Sequence, residues 1–245
     1  MNWLLKIVCL ILAICTLTVG FSACQEEEKI DDKAYYDYIN SKTGHGKDIF
    51  TKFVEREIDS MKVEDFVQSD KESDYVLIKV KDYGEIVAVL RQDVAPVSVA
   101  NFKKLVKSGF YDGTIFHRII KDFMIQGGGL TVKENEDGSG TTVVQKEAES
   151  IFGEFSSNGF ENHLYHSRGV LSMARSDAKN SATSQFFIVH ETSAHLNGEY
   201  ASFGYVLAGM DVVDKIADCK DFLEPGSTMP LYDIVIESIT FVEPK

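Results

Sequence analysis

Residues 116–128 read FHRIIKDFMIQGG, two short apolar runs of which the first carries a cation, Arg118. The runs have the length of strands, and the glycines that follow favour close backbone packing or a turn. An arginine side chain does not lose its proton in proteins, so Arg118 must either pair with an acid or face a cleft. From this stretch alone, a structural ion pair is the more common arrangement.

Short apolar runs divided by glycine-rich turns continue through the chain and predict a mainly β domain. Residues 75–81 and 85–90 read as two strands around the turn Asp82-Tyr83-Gly84. Beyond them, helical patterns cover 97–108, between Pro96 and Gly109, and 211–217. Further strands are predicted at 114–120, 123–126, 169–174, 185–190, 201–207 and 234–242, which favours an antiparallel barrel or sandwich.

Four stretches resemble signature sequences of the cyclophilins, in the family's order and with similar spacing. They are FHRIIKDFMIQGG at 116–128, GVLSMAR at 169–175, SATSQFFI at 181–188 and FGYV at 203–206. The resemblance covers about residues 75–242 and looks most like the bacterial branch. It implies a closed eight-stranded antiparallel barrel capped by two helices, a proline-binding groove on the outer wall, and peptidyl-prolyl cis–trans isomerase (rotamase) activity without a cofactor.

The resemblance also implies roles for individual residues of the groove. Arg118 matches the catalytic arginine, and His117 matches the histidine beside it. The walls of the proline pocket correspond to Phe123, Met124, Phe187 and Leu196. Groups that orient the substrate correspond to Gln126 and Gln185, and the segment whose backbone binds the residue before proline corresponds to Ala174 and Arg175. Tyr200 stands where many eukaryotic members have histidine.

Two positions depart from the pattern of the better-known members. His195 stands where many cyclophilins have tryptophan, at one edge of the pocket and at a position associated with cyclosporin binding. We therefore expect weaker inhibition by cyclosporin, with isomerase activity retained. Arg175 replaces the asparagine of eukaryotic members, although bacterial relatives often have arginine there.

The chemistry of isomerisation suits an unpaired arginine in an apolar groove. Rotation about the peptide bond crosses a barrier of about 18–20 kcal/mol that amide resonance creates, and no bond is broken. A donor aimed at the proline carbonyl and nitrogen would hold the twisted amide better than either planar form. The alternative to an enzyme is a binding module that grips proline-containing segments with incidental turnover, but the intact set around Arg118 favours the enzyme. Its expected substrates are proline-containing segments of unfolded or exported proteins.

The N-terminus has the layout of a lipoprotein signal peptide. Residues 1–23 contain one cation, Lys6, then an apolar stretch over 7–17, and small residues precede Cys24. We expect cleavage before Cys24, fatty acylation (palmitate) of that cysteine, and attachment to the extracytoplasmic side of the bacterial cell membrane. An uncleaved anchor helix is the alternative, because the apolar stretch approaches the ~20 residues of a membrane span. Residues 24–46 read as an acidic flexible tether.

Residues 47–73 are predicted to form an amphipathic helical extension before an isomerase domain over 74–245. Apolar residues recur at steps of three and four from Ile49 to Met61, and the pattern continues to about Gln68. Docking of this apolar face on a neighbouring core is the first interpretation. A helix for partner binding or self-association is the second.

Charge and cysteine content argue against several other functions. The net charge of −13 disfavours nucleic acid as a partner. The four cysteines have no C-x-x-C spacing, so neither a zinc site nor a dithiol redox site is indicated. His163 and His166 form an H-x-x-H pair, but no further ligand accompanies them, so a solvated or structural pair is favoured over a metal site. We expect a metal-free monomer.

Overall fold

The computed structural model describes residues 52–222 and 225–245. The predicted signal peptide, Cys24, the predicted tether and residues 47–51 of the predicted helix lie outside the described residues. Within the described part of the chain, no helix combines the length and the hydrophobicity that crossing a membrane requires.

The described residues form one antiparallel sheet of ten strands, eight of which close into a barrel. The strands are β1 (Phe66–Gln68), β2 (Tyr75–Val80), β3 (Gly84–Leu90), β4 (Thr114–Ile120), β5 (Met124–Glu134), β6 (Thr141–Gln145), β7 (Val170–Met173), β8 (Phe186–Val189), β9 (Ser202–Ala208) and β10 (Val235–Pro244). The barrel order is β10-β2-β3-β9-β7-β8-β5-β4, and pairing of β4 with β10 closes it. The predicted closed eight-stranded barrel is confirmed. Outside it, β1 pairs with β10 and β6 pairs with β5.

The helices are α1 over residues 52–57, α2 (Pro96–Lys107) and α3 (Met210–Ala217). Pro96 lies in the first turn of α2, where its missing N–H costs no hydrogen bond. Gly109, with φ at 65°, follows the end of that helix. Both α2 and α3 bury one apolar face on the barrel, as the sequence predicted.

Aromatic rings fill the interior of the barrel next to α2. Phe102 of α2 lies with its ring centroid 5.0 Å from Tyr111, 5.4 Å from Phe186 and 5.2 Å from Phe203. Complete burial of such a side chain contributes about 1.5–3 kcal/mol. Every residue of β7 and β8 is buried, so these strands are covered on the outer face as well as on the core side. The candidate site lies on this covered outer face of the barrel.

The prediction of a helix extending to Gln68 is wrong from residue 58 onwards. The helix ends at residue 57, and Asp59 takes a left-handed conformation with φ at 56°. A 3-10 helix over Val63–Asp65 and strand β1 follow. The physical reason is tertiary: the Asp59 carboxylate accepts hydrogen bonds from the N–H groups of Gly209 and Met210 at the start of α3. Strand β1 in turn satisfies the outer edge of β10.

Residues 52–61 dock on the barrel through their apolar side chains. Val54 is buried, and Ile58 packs against the core. A side chain on Gly169, the residue before β7, would place its first carbon 2.8 Å from Ile58. The extension and the barrel therefore share packing, although the boundary between them at residue 73 stays a prediction.

Candidate functional site

A bulge in β4 turns Arg118 away from the barrel interior. Phe116 pairs with Gly127, and Arg118 pairs with Gln126. Between these two pairs, β4 contains one extra residue, His117, that has no partner on β5. In a regular strand, Phe116 and Arg118 would point to the same face. Because of the bulge, Phe116 is fully buried in the core whereas Arg118 lies half-buried on the outer wall.

The glycines after Gln126 allow the backbones to approach closely at this bulge. A side chain on Gly127 would place its first carbon 2.7 Å from the Ile115 carbonyl oxygen, and one on Gly128 would meet the Phe186 ring at 2.7 Å. Gly128 also has φ at 81°. The interpretation of this glycine run as a place of close packing is confirmed.

Four consecutive strands present one row of side chains across the outer wall. Arg118, Gln126, Phe187 and Ser172 are successive register partners on β4, β5, β8 and β7. The Arg118 Nη1 donates to Gln126 Oε1 at 3.2 Å, and Gln126 Nε2 donates to the Oε1 of Gln185 at 2.9 Å. The two glutamines thereby hold the guanidinium in one orientation.

Among the residues that the structure describes, Arg118 has no acidic partner, unlike three other arginines of the domain. Arg91, Arg168 and Arg175 each lie within salt-bridge distance of a carboxylate. Across residues 52–222 and 225–245, no carboxylate oxygen lies within 4.0 Å of the Arg118 guanidinium. Met124 Sδ, at 3.8 Å, is instead one of its neighbours. The structural ion pair that the sequence left open is therefore not formed within the described part of the chain, and the charge lies half-buried on the outer wall.

The neighbouring His117 is neutral at physiological pH. Burial lowers the pKa of this imidazole, and the Arg118 charge lowers it further. The Ile115 backbone and the Gln185 side chain favour the charged form, which opposes the shift without reversing it. Arg118 consequently supplies the fixed positive charge beside the groove.

Of the predicted walls of the proline pocket, Met124 contacts the Arg118 guanidinium and Phe187 is the register partner of Gln126. Met124, Phe187 and Leu196 are buried, and Phe123 is half-buried. Phe123 lies against the exposed His195 ring with a centroid distance of 5.3 Å, and Tyr200 meets Phe187 edge-on at 5.9 Å. The arrangement forms an apolar surface beside a cation, and the roles of these residues in binding stay predictions.

The Ala174-Arg175 segment borders the same wall through Gln185 and Tyr200. Ala174 N–H donates to the Gln185 carbonyl at 2.9 Å. The Arg175 guanidinium lies 4.7 Å from the Tyr200 ring centroid and donates to the Glu199 carbonyl at 3.0 Å. Within the described residues, neither the N–H nor the C=O of Arg175 makes a hydrogen bond. This geometry suits the backbone role that the resemblance implied for Arg175.

A buried histidine beneath the pocket was missed by sequence reasoning. His166 stacks on Phe187 with a centroid distance of 6.0 Å and an interplanar angle of 17°. The only sign of it in the sequence was the H-x-x-H pair. The sequence favoured a solvated or structural role for that pair, and His166 has a structural role. Its partner His163 is partly exposed, 3.6 Å from Glu161. In the part of the chain that the structure describes, no group of three or more His, Cys, Asp or Glu side chains could hold a metal ion.

A second histidine, His190, supports the turn that carries Phe123. The backbone N–H of His190 donates to the Phe123 carbonyl at 2.9 Å, and its ring Nδ1 accepts from the backbone N–H of Asp122 at 3.1 Å. Asp122 itself has φ at 59°, a strained conformation for a residue with a side chain. His190 Nε2 lies 3.3 Å from the Asp214 carboxylate. No feature of the sequence pointed to this support, because its members are far apart along the chain.

Comparisons with known proteins agree with this geometry. The family model "Cyclophilin type peptidyl-prolyl cis-trans isomerase/CLD" matches residues 75–241. Peptidyl-prolyl cis-trans isomerase A of Dickeya dadantii is 40% identical over 166 residues, which cover 65% of this chain and 80% of the relative. Peptidyl-prolyl cis-trans isomerase B of Escherichia coli is 40% identical over 174 residues, which cover 66% of this chain and 96% of the relative.

A solved structure gives the same result for the fold. The crystal structure of a Cryptosporidium parvum cyclophilin-type peptidyl-prolyl cis-trans isomerase in the presence of the dipeptide Ala-Pro has a TM-score of 0.55 at 32% identity. The match covers 68% of this chain and 98% of the C. parvum chain. The barrel closure, the match of the family model over well over half of the chain and the identity to the bacterial relatives lead to one conclusion: this chain belongs to the cyclophilin-type peptidyl-prolyl cis–trans isomerases.

Proposed function

We propose that this isomerase acts on proline-containing segments of exported proteins, and that Arg118 stabilises the twisted X–Pro amide in the apolar groove. The observation that carries the proposal is the Arg118 guanidinium, which has no carboxylate within 4.0 Å among the described residues and is held by Gln126. A permanent cation in an apolar wall is costly unless it serves a polar group that enters the groove.

The hydrogen-bond chain preorganises Arg118 for this task. Gln185 orients Gln126, and Gln126 accepts one N–H of the guanidinium, which leaves the remaining donors for a substrate. As the amide twists, resonance is lost and electron density returns to the proline nitrogen. Donors already aimed at that position lower the barrier, because they bind the twisted form more strongly than the planar ones.

The remaining residues of the site are assigned to substrate binding. The proline ring packs against Phe123, Met124, Phe187 and Leu196, which are apolar, and Met124 contacts the Arg118 guanidinium. The free N–H and C=O of Arg175 pair with the backbone of the residue before proline. Support for a proline-containing ligand comes from the C. parvum relative, whose crystal structure was determined in the presence of Ala-Pro.

The activity is tested with an X–Pro peptide whose trans form alone is cleaved by an added protease. Uncatalysed exchange takes tens to hundreds of seconds. Catalytic amounts of the protein are expected to shorten the slow phase in proportion to enzyme concentration. A pure binding module would leave the slow phase at the uncatalysed rate while still binding the peptide, and this result would refute catalysis.

The location outside the cytoplasmic membrane is proposed from the N-terminal sequence. Exported proteins emerge unfolded, and slow prolyl isomerisation can limit their folding, so an isomerase tethered at Cys24 would meet its substrates there. Cells grown with a radioactive fatty acid are expected to label the wild-type chain and not Cys24→Ala. Mass spectrometry of the N-terminus separates the alternatives: an acylated start at Cys24 supports the tether, and a chain that still begins at Met1 supports an uncleaved anchor.

Weak inhibition by cyclosporin is expected from the ring at position 195. His195 is exposed and contacts Phe123, but an imidazole offers less apolar surface than an indole. His195→Trp is expected to tighten inhibition by about tenfold, equivalent to about 1.4 kcal/mol. Inhibitor titrations of wild type and His195→Trp check this, and sub-micromolar inhibition of the wild type would contradict it.

A further inference from the structure

We infer that His166 is a positioning residue for the proline pocket, whose neutral ring holds Phe187 and the turn that carries Leu196 in place without touching the substrate. The inference rests on the proposed roles of Phe187 and Leu196 as pocket walls. Its basis is that three separate structural elements of the site meet at this one buried side chain.

The first contact is with the Phe187 ring. His166 is 1% exposed and lies nearly parallel to Phe187, while Tyr200 contacts another side of Phe187 edge-on. An aromatic ring held between two others has little freedom to change rotamer in a densely packed interior. The pocket wall therefore depends on the position of the His166 ring.

The second set of contacts fixes the 3-10 helix Ala194–Leu196 at both ends. The backbone N–H and the Nδ1 of His166 lie 2.8 Å and 3.1 Å from the side-chain oxygen of Asn197, which follows the helix. The Ser193 N–H, just before the helix, donates to the His166 carbonyl at 2.8 Å. This short helix carries His195 and buried Leu196, so one residue sets the position of both.

The third contact determines the protonation of the ring. Because the Asn197 oxygen only accepts, Nδ1 carries the proton, and Nε2 accepts from the Ser172 hydroxyl at 3.0 Å. Ser172 is the register partner of Phe187 on β7. The imidazole is thus a neutral bridge between the sheet and the turn.

Protonation of this ring is disfavoured. Burial lowers the pKa of His166 to about 4, and the nearby His195 adds to the lowering, whereas the hydrogen bond to Asn197 opposes it. The charged groups beside its chain neighbours are Arg168, which pairs with Asp214, and Glu55, which accepts a hydrogen bond from Ser167. The ring therefore stays neutral from pH 7 down to well below pH 6.

The test compares His166→Phe with His163→Phe in the full chain. Phenylalanine keeps an aromatic ring next to Phe187 and the backbone N–H bond to Asn197, but removes the two hydrogen bonds of the imidazole ring, to Asn197 and to Ser172. Loss of these bonds is expected to reduce kcat/KM about tenfold, mainly through a higher KM, because they hold the binding surface and not Arg118. His163, the partly exposed member of the same H-x-x-H pair, serves as the matched control, and its substitution is expected to leave both constants unchanged. Unaltered KM in His166→Phe would overturn the inference.

A measurement on the wild type covers the case in which His166→Phe fails to fold. Nuclear magnetic resonance follows the His166 ring and the Leu196 methyl groups between pH 7 and pH 3.5. The methyl shifts are expected to change with the midpoint of the His166 ring, near pH 4. Leu196 signals that ignore the titration of His166 would refute the positioning role. This measurement does not depend on catalysis. If the protein proved inactive, the proposed function would be refuted, but the methyl signals would still decide whether His166 positions Leu196.

Discussion

Replacing Arg118 by alanine is expected to lower kcat/KM for prolyl isomerisation by about 10²–10³-fold, the loss typical of removing one preorganised donor from an active site. The guanidinium makes no ion pair among the described residues, so its removal leaves no buried charge behind. The unfolding free energy should therefore change by no more than about 0.5 kcal/mol. The protease-coupled assay and thermal unfolding measure the two effects separately.

Two further variants make the Arg118 result specific. Arg118→Lys keeps the charge but not the planar fork, so it should recover only part of the lost rate. Arg56→Ala removes an exposed arginine of α1, with the side chain 62% exposed, and should leave the rate unchanged. If Arg118→Ala retained wild-type kcat/KM, the arginine mechanism would be wrong even with the family membership intact.

Replacing Glu154 by alanine is expected to lower the unfolding free energy by about 3–4 kcal/mol. Glu154 is fully buried, and its carboxylate accepts from Val97 N–H at 2.8 Å and from Ser98 N–H at 2.8 Å and Oγ at 2.6 Å. These are the first N–H groups of α2, whose N-cap residue Ala95 has no side-chain hydrogen bond to offer. Alanine would remove the acceptor of both N–H groups, of which that of Ser98 is buried.

Thermal unfolding followed by circular dichroism measures the Glu154 effect. A loss of this size corresponds to a fall in Tm of about 6–16 °C for a domain of this length. Glu154→Gln keeps the volume and one acceptor oxygen, so about half of the loss is expected. Glu149→Gln is the control, because that side chain is 86% exposed beside Lys104 and such pairs contribute about 0–1 kcal/mol. Equal Tm values for Glu154→Ala and the control would show that α2 is capped in another way.

Most of the barrel could be predicted from local patterns in the sequence. Strands β2 and β3 and the helix between Pro96 and Gly109 lie where apolar periodicity, a tight turn and helix-end residues placed them. Strand β6 was not predicted because TTVVQ is largely exposed and has no apolar face, and it forms by pairing with β5. Strand β1 was read as helix because its neighbours continue a helical pattern, while the free edge of β10 decides its conformation.

The residues of the site could be named from the resemblance, but their support could not. Arg118, Met124 and Phe187 stand in recognisable stretches of sequence. The bulge at His117, the neutral His166 beneath Phe187 and the His190 contacts with the Phe123 turn depend on which strands become neighbours. A local sequence pattern does not show which distant side chain will lie beside a given residue.

The sequence by itself determined the order and kind of most elements, the family, and the identity of the cation in the groove, because apolar periodicity and motifs act over a few residues. Tertiary structure alone decided whether that cation would be paired. Contacts such as Asp59 with Gly209, which are 150 residues apart, and Glu154 with Val97, which are 57 apart, exist only after the barrel closes. Arg118 lies unpaired on the outer wall of the described barrel for the same reason: the bulge and the absence of a nearby carboxylate result from strand pairing and not from the residues next to it.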